Sequence, residues 1–80
     1  ADYNPKGRLQ EKVQALIGPD KIEYVVLKQQ GPAHSRLFTV VVKIAGRKQG
    51  EGTGSSKKEA EEEAARQALG SLERSGRRNR

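Results

Sequence analysis

The sequence predicts an α+β domain of order α-β-β-β-α, a three-stranded antiparallel sheet with two helices packed on one face. Three observations predict it. An apolar stripe at helical spacing opens the chain and stops at Gly18-Pro19. Two alternating runs rich in β-branched residues follow, separated by a short Gly-Pro loop. A line of alanines at helical spacing occupies the last third. Short turns between successive strands make the sheet antiparallel. One sheet face reads as polar, so both helices bury their stripes on the other.

The first helix starts at Asn4-Pro5, with Asn as N-cap and Pro at the first helical position. Leu9, Val13, Leu16 and Ile17 form its buried stripe. Gln10, Glu11 and Gln14 point away from it. The first strand is read over Ile22–Gln30, with Tyr24 and Val26 on one face. The loop "GPAHS" at 31–35 leads to a second strand over 37–45. There Phe38, Val40, Val42 and Ile44 face the core, and Thr39, Val41 and Lys43 face away. A tight connection at 45–47 enters "RKQGEGTG", a glycine-rich, weak edge strand. The second helix buries Ala60, Ala64, Ala68 and Leu72, with Ala65 and Leu69 beside them. Alanine lets a helix lie close to a sheet. The ordered domain is read as residues 1–73, with a core of about 4–72, and 74–80 as a basic, disordered tail.

Composition narrows the function. Eighty residues at 32% hydrophobic content make one small domain with a thin core. The chain has no cysteine, which excludes disulfides and cysteine-based metal sites and fits a cytoplasmic location. No run is long enough to span a membrane, so no membrane partner is expected. Methionine is absent even from the first position, which points to a segment of a longer protein. The formal charge of +6 is concentrated in the middle and at the end, with an acidic block at 61–63 between. That balance suits a polyanion, nucleic acid ahead of an acidic membrane surface.

Several chemistries are poorly served. "GEGTGSSKK" lacks the glycine that a phosphate loop places directly before Lys-Ser/Thr, and Ser55 stands where a dinucleotide loop needs glycine. No small-molecule substrate or cofactor is expected. The single histidine has no evident nucleophile beside it. Glu61, Glu62 and Glu63 fan out around a helix, a solvated face rather than a metal site, and Glu62 is placed to pair with Arg66 and Lys58. No catalytic residue is assigned. Tyr24 and Phe38 fall on the core face, which leaves no aromatic platform for unpaired bases.

The start of the second helix is more informative. Ser56-Lys57-Lys58-Glu59 fits a capping box, so two lysines enter the first turn. Cations there raise a potential that is already positive, unless an anion arrives to meet amides, dipole and ammonium groups together. Taken alone, the lysines, the Gln10-Glu11-Gln14 cluster and the loop His34 are each ordinary solvated surface.

Together these pieces resemble the double-stranded RNA-binding domain family. The matching residues are "LQEKVQ" at 9–14, Tyr24, "GPAH" at 31–34, Phe38 and "GEGTGSSKKEAEEEAA" at 50–65, in the family's order. The pairing of "LQE" with "GPAH" is most similar to the domain at the C-terminus of bacterial ribonuclease III. The resemblance implies three contact regions. Gln10, Glu11 and Gln14 would meet 2′-hydroxyls in one minor groove. Pro32, Ala33 and His34 would reach a successive minor groove. Ser56, Lys57 and Lys58 would grip phosphates across the major groove between them. Two departures stand out: Glu61 where many members carry a third lysine, and Gly7 where a threonine is common. Lys6 and Arg8 are candidates to compensate. The resemblance also implies a Mg²⁺-dependent parent nuclease, homodimeric through a catalytic domain absent here, so that this chain binds duplex RNA and does not cut it. A duplex-RNA domain of another RNA-processing or regulatory protein, or a protein-interaction module on the same fold, are the alternatives.

Overall fold

A computed structural model describes residues 4–19 and 21–78, with the backbone alone for 75–78. Helix α1 (Pro5–Leu16) is followed by strands β1 (Ile22–Gln30), β2 (Leu37–Ile44) and β3 (Arg47–Gly54), then helix α2 (Lys57–Arg78). A short 3₁₀ turn at Ala33–Ser35 lies between β1 and β2. The sheet is antiparallel throughout, with order β1-β2-β3.

Local chemistry starts and stops each element. The Asn4 side chain accepts a hydrogen bond from the Gly7 N–H at 3.2 Å, and Pro5 needs no such partner. α1 ends as the N–H groups of Ile17 and Gly18 both reach the Val13 carbonyl. β2 and β3 are joined by Ala45 and Gly46, both at positive φ (53° and 80°), a two-residue hairpin that follows the twist of its strands.

The core lies between the helices and one sheet face. Leu9, Val13, Val40, Val42, Ile44, Ala60, Ala64, Ala65, Ala68, Leu69 and Leu72 are buried in it, and Ile22, Tyr24, Val26 and Phe38 pack at its margin. The two aromatics are thus core residues, as the alternation requires.

β3 is an edge strand, but its glycines are packing positions rather than weak points. Gly50, Gly52 and Gly54 alternate along the face turned to α2 and pair with Val42, Val40 and Phe38. A Cβ on any of them would come within 2.7 Å of α2 backbone atoms, at Ala68, Ala60 and Ala60 respectively. Two strand residues advance about 6.6 Å and four helix residues about 6 Å, so glycines at period two meet alanines at period four.

Four expectations are corrected. Leu16 and Ile17 do not complete the buried stripe of α1; they are 57% and 47% exposed, and Ile17 lies past the last helical residue, as the C-cap. The open sheet face is not wholly polar: Thr39 and Val41 are buried there on the central strand between two neighbours, and Val25, Leu27 and Leu37 are exposed nearby. β2 stops at Ile44, one residue earlier than its pattern suggests, because Ala45 turns to positive φ. Residues 74–78 continue α2 in place of a disordered tail. Extending an anchored helix is far easier than starting one, and arginines suit its C-terminal end. Residues 79 and 80 lie outside the described residues.

Candidate nucleic-acid interface

The β1–β2 loop and the start of α2 occupy the same end of the sheet. Gln30 pairs with Leu37 across that loop, and Phe38 pairs with Gly54, the last residue of β3. Gly31 (φ +89°) opens the loop, and a Cβ there would meet the Ser35 carbonyl oxygen. The Ser35 N–H donates to the Pro32 carbonyl at 2.9 Å, which presents Pro32, Ala33 and His34 as an exposed, preformed turn.

The Ser56 hydroxyl oxygen accepts from the Glu59 N–H at 3.1 Å and caps α2. The expected capping box is not reciprocal, however. The Glu59 carboxylate reaches Ser55 instead, accepting from its hydroxyl at 2.6 Å and its backbone N–H at 3.2 Å. Those two bonds, the hydroxyl first, hold the Glu59 carboxyl below its ordinary pKa. The arrangement keeps the carboxylate occupied on the N-terminal side of the cap. Lys57 and Lys58 are exposed, and among the described residues neither has an ion-pair partner. The Lys58–Glu62 pair expected from spacing is absent. Arg66 turns to Glu63 (2.8 Å), not to Glu62, and Gln67 donates to the other oxygen of Glu63. The Gln67 and Arg66 hydrogen bonds hold the Glu63 carboxyl below its usual range.

Gln10, Glu11 and Gln14 are all exposed on α1, spread over about 100° of its solvent face. Gln10 and Gln14 line an open cleft with Asn4, Lys6 and Tyr24. Glu11 turns to the other flank, toward a recess with Lys12, Leu16 and Leu69. A one-residue step rotates a side chain about 100° around the helix, which separates it from its neighbour.

Lys6, a candidate to compensate for Gly7, is already engaged. Its Nζ lies 2.6 Å from Glu61 Oε1 and 4.8 Å from the centre of the Tyr24 ring. Burial, and secondarily the Glu61 charge, push the Tyr24 phenol up to about 12. No local periodicity carries this triad, because its members belong to α1, β1 and α2. The glutamates do not converge. Among the described residues no group of three or more His, Asp or Glu side chains is arranged to hold a metal ion. Among the same residues no helix is long and apolar enough to cross a membrane.

Comparison with known proteins agrees with this geometry. A family model described as the double-stranded RNA binding motif matches residues 5–72. "Ribonuclease 3" of Pelotomaculum thermopropionicum is 50% identical over 68 residues, covering 85% of this chain and 27% of that protein. "Ribonuclease 3" of Streptococcus sanguinis is 51% identical over 68 residues, covering 85% and 28%. The Streptococcus mutans protein of the same name is 49% identical over 73 residues, covering 91% and 30%. The chain therefore spans less than a third of the length of these relatives. With the α-β-β-β-α order, the antiparallel sheet and a family match that runs from the first residue of α1 to the last buried leucine of α2, the chain belongs to the double-stranded RNA binding motif family.

Proposed function

We propose that this chain binds duplex RNA by shape through three surfaces, and that it does so as the RNA-binding domain of a ribonuclease III. Gln10, Glu11 and Gln14 meet 2′-hydroxyls in one minor groove. Pro32, Ala33 and His34 enter the next, and Ser56, Lys57 and Lys58 hold phosphates between them. The observation that carries this reading is a lysine pair with no carboxylate partner among the described residues, at a capped helix start on the same sheet end as an exposed turn. Backbone amides, helix dipole and two ammonium groups converge there on one sign of charge. The Ser56 hydroxyl oxygen is used in the cap, but its proton remains available to a phosphate oxygen. Glutamine amides both donate and accept, which suits a 2′-hydroxyl.

Phosphate contacts supply affinity and hydroxyl contacts separate RNA from DNA. Titration with an RNA duplex of ~20 base pairs, slightly longer than such a domain spans, and with DNA of the same sequence tests the reading. Preference for RNA is expected. Equal affinity for the two, or none for either, would favour the rival reading of a protein-interaction module, whose own support is the exposed Val25, Leu27 and Leu37 on the open sheet face.

The parent is read as a cytoplasmic, homodimeric, Mg²⁺-dependent nuclease because its relatives carry that enzyme's name. Mg²⁺ and the catalytic carboxylates then belong to a separate domain. The full-length chain decides this: a carboxylate-rich N-terminal catalytic domain is expected, and a parent without one belongs to another class of RNA-binding protein.

A further inference from the structure

Helix α1 carries the side chains that would read hydroxyls, yet it is held to the body sparingly. Pro5, Leu9 and Val13 are its buried residues. Beyond Val13 its apolar residue Leu16 is largely exposed. Among the described residues an ammonium group adds a further tie at its N-terminal half: Lys6 Nζ touches Glu61 on α2 and lies over the Tyr24 ring on β1. Both ends of the ion pair are partly shielded, with the side chains 40% and 25% exposed.

The pair sits between the two surfaces at issue. Lys6 precedes Gln10 and Gln14 by one and two helical turns and lines the same cleft. Glu61 follows Lys57 by one turn. Resting on the duplex-RNA reading above, we propose that Lys6, Glu61 and Tyr24 form a positioning clasp. It sets the placement of the Gln10–Gln14 stripe relative to the phosphate-holding turn of α2, and thereby the preference of this domain for RNA over DNA.

The two kinds of contact tolerate displacement differently. A lysine on a four-carbon stem follows a phosphate through small shifts, and its attraction falls off slowly. A hydrogen bond to a hydroxyl is broken once the atoms part by more than about 3.5 Å. Loosening α1 therefore costs discrimination before it costs affinity. Glu61 as a bare charge would repel phosphate; paired with Lys6, its charge is locally balanced.

The test measures affinity of this chain for RNA and DNA duplexes of one sequence, in Lys6→Met, Glu61→Gln and the double variant. Each single change is expected to lower the RNA-to-DNA affinity ratio about fivefold, the worth of one hydroxyl hydrogen bond. The double variant is expected to lose no more than either single, with the thermal midpoint reporting that each remains folded. Lys12→Met, which breaks the other α1–α2 ion pair (Lys12–Glu73, 3.5 Å), is expected to leave the ratio unchanged. A ratio kept or raised in Glu61→Gln, or losses that add in the double variant, overturns the clasp. A wild-type chain without RNA preference overturns the duplex reading and the clasp with it. A wild type that prefers RNA, with variants that keep that preference, overturns the clasp alone.

Discussion

The two helices lie on the same sheet face but are attached by different physics. α2 meets β3 through alanine against glycine, backbone close to backbone, along Gly50, Gly52 and Gly54. α1 rests on Leu9 and Val13, and among the described residues the ion pairs Lys6–Glu61 and Lys12–Glu73 tie it to α2. The first seam has no room to adjust. The second depends on long side chains that move. The turn proposed to hold phosphates grows out of the rigid seam, and the stripe proposed to read hydroxyls sits on the adjustable helix. Difference in attachment thus separates what must be stiff to fold from what can be tuned for recognition.

The largest expected effect tests the rigid seam. Gly52→Ala places a methyl against the α2 backbone, where neither wall is a flexible side chain. The change should cost about 3 kcal/mol or more, toward the upper end of overpacking effects, because the backbone itself must shift. Urea unfolding measures it. A loss below about 1 kcal/mol, well under that range, would mean that α2 can lift from β3 and that the seam is not rigid.

Much of this contrast is legible in the sequence, and the part that is not has a clear cause. The bounds of β1 coincide with the alternating run Ile22–Gln30, because a half-buried strand writes its period directly into the chain. The alanine line of α2 is equally plain. The glycines of β3 are visible too, but composition alone makes them look like weakness, and only their period shows otherwise. Set against the alanines, their alternation announces the seam. The clasp is not legible. That Glu61 meets Lys6 depends on how α1 crosses α2, which no local pattern encodes. The Glu62–Arg66 pair fails for a related reason: spacing offers Arg66 two glutamates on α2, and Glu63, already joined to Gln67, is the one it takes.

The next effect falls on binding rather than folding. Lys57→Ala with Lys58→Ala should weaken duplex RNA binding about ten- to a hundredfold and reduce the salt slope by about one for each phosphate no longer neutralised. Stability should hardly change, because neither lysine has an ion-pair partner among the described residues. Binding measured across a salt series separates the two roles. An unchanged slope removes the phosphate role of this turn. His34→Ala, on the preformed loop, should lose less.

Smaller still is the cap that joins seam to site. Ser56→Ala removes the acceptor for the Glu59 N–H and should cost about 1 kcal/mol. The Glu59 carboxylate offers a pH test of the same turn. Its folded pKa is depressed, so its contribution is present above the ordinary glutamate value of 4.5 and is lost as pH falls through the lower folded value. Glu59→Gln should flatten the stability profile below pH 4.5, measured by thermal unfolding. An unaltered acid limb would show that the Ser55 bonds do not form in solution.

The smallest effect belongs to the far end of α1 and is informative because it is small. Leu16 shares the helical stripe with Leu9, and by spacing alone the two should matter equally. Leu9 is fully buried, so Leu9→Ala should cost about 2–5 kcal/mol in transfer energy and cavity. Leu16 is 57% exposed, so Leu16→Ala should stay within about 0.5 kcal/mol. Chemical denaturation of the two variants side by side gives the ratio. If Leu16→Ala costs as much as Leu9→Ala, the last turn of α1 is buried in solution, α1 is anchored along its whole length, and two ion pairs would no longer be needed to explain how it is held. If the asymmetry holds, α1 is fastened as far as Val13 and released beyond it. Lys6 then belongs to the fastened part, one and two turns ahead of the glutamines it would steer.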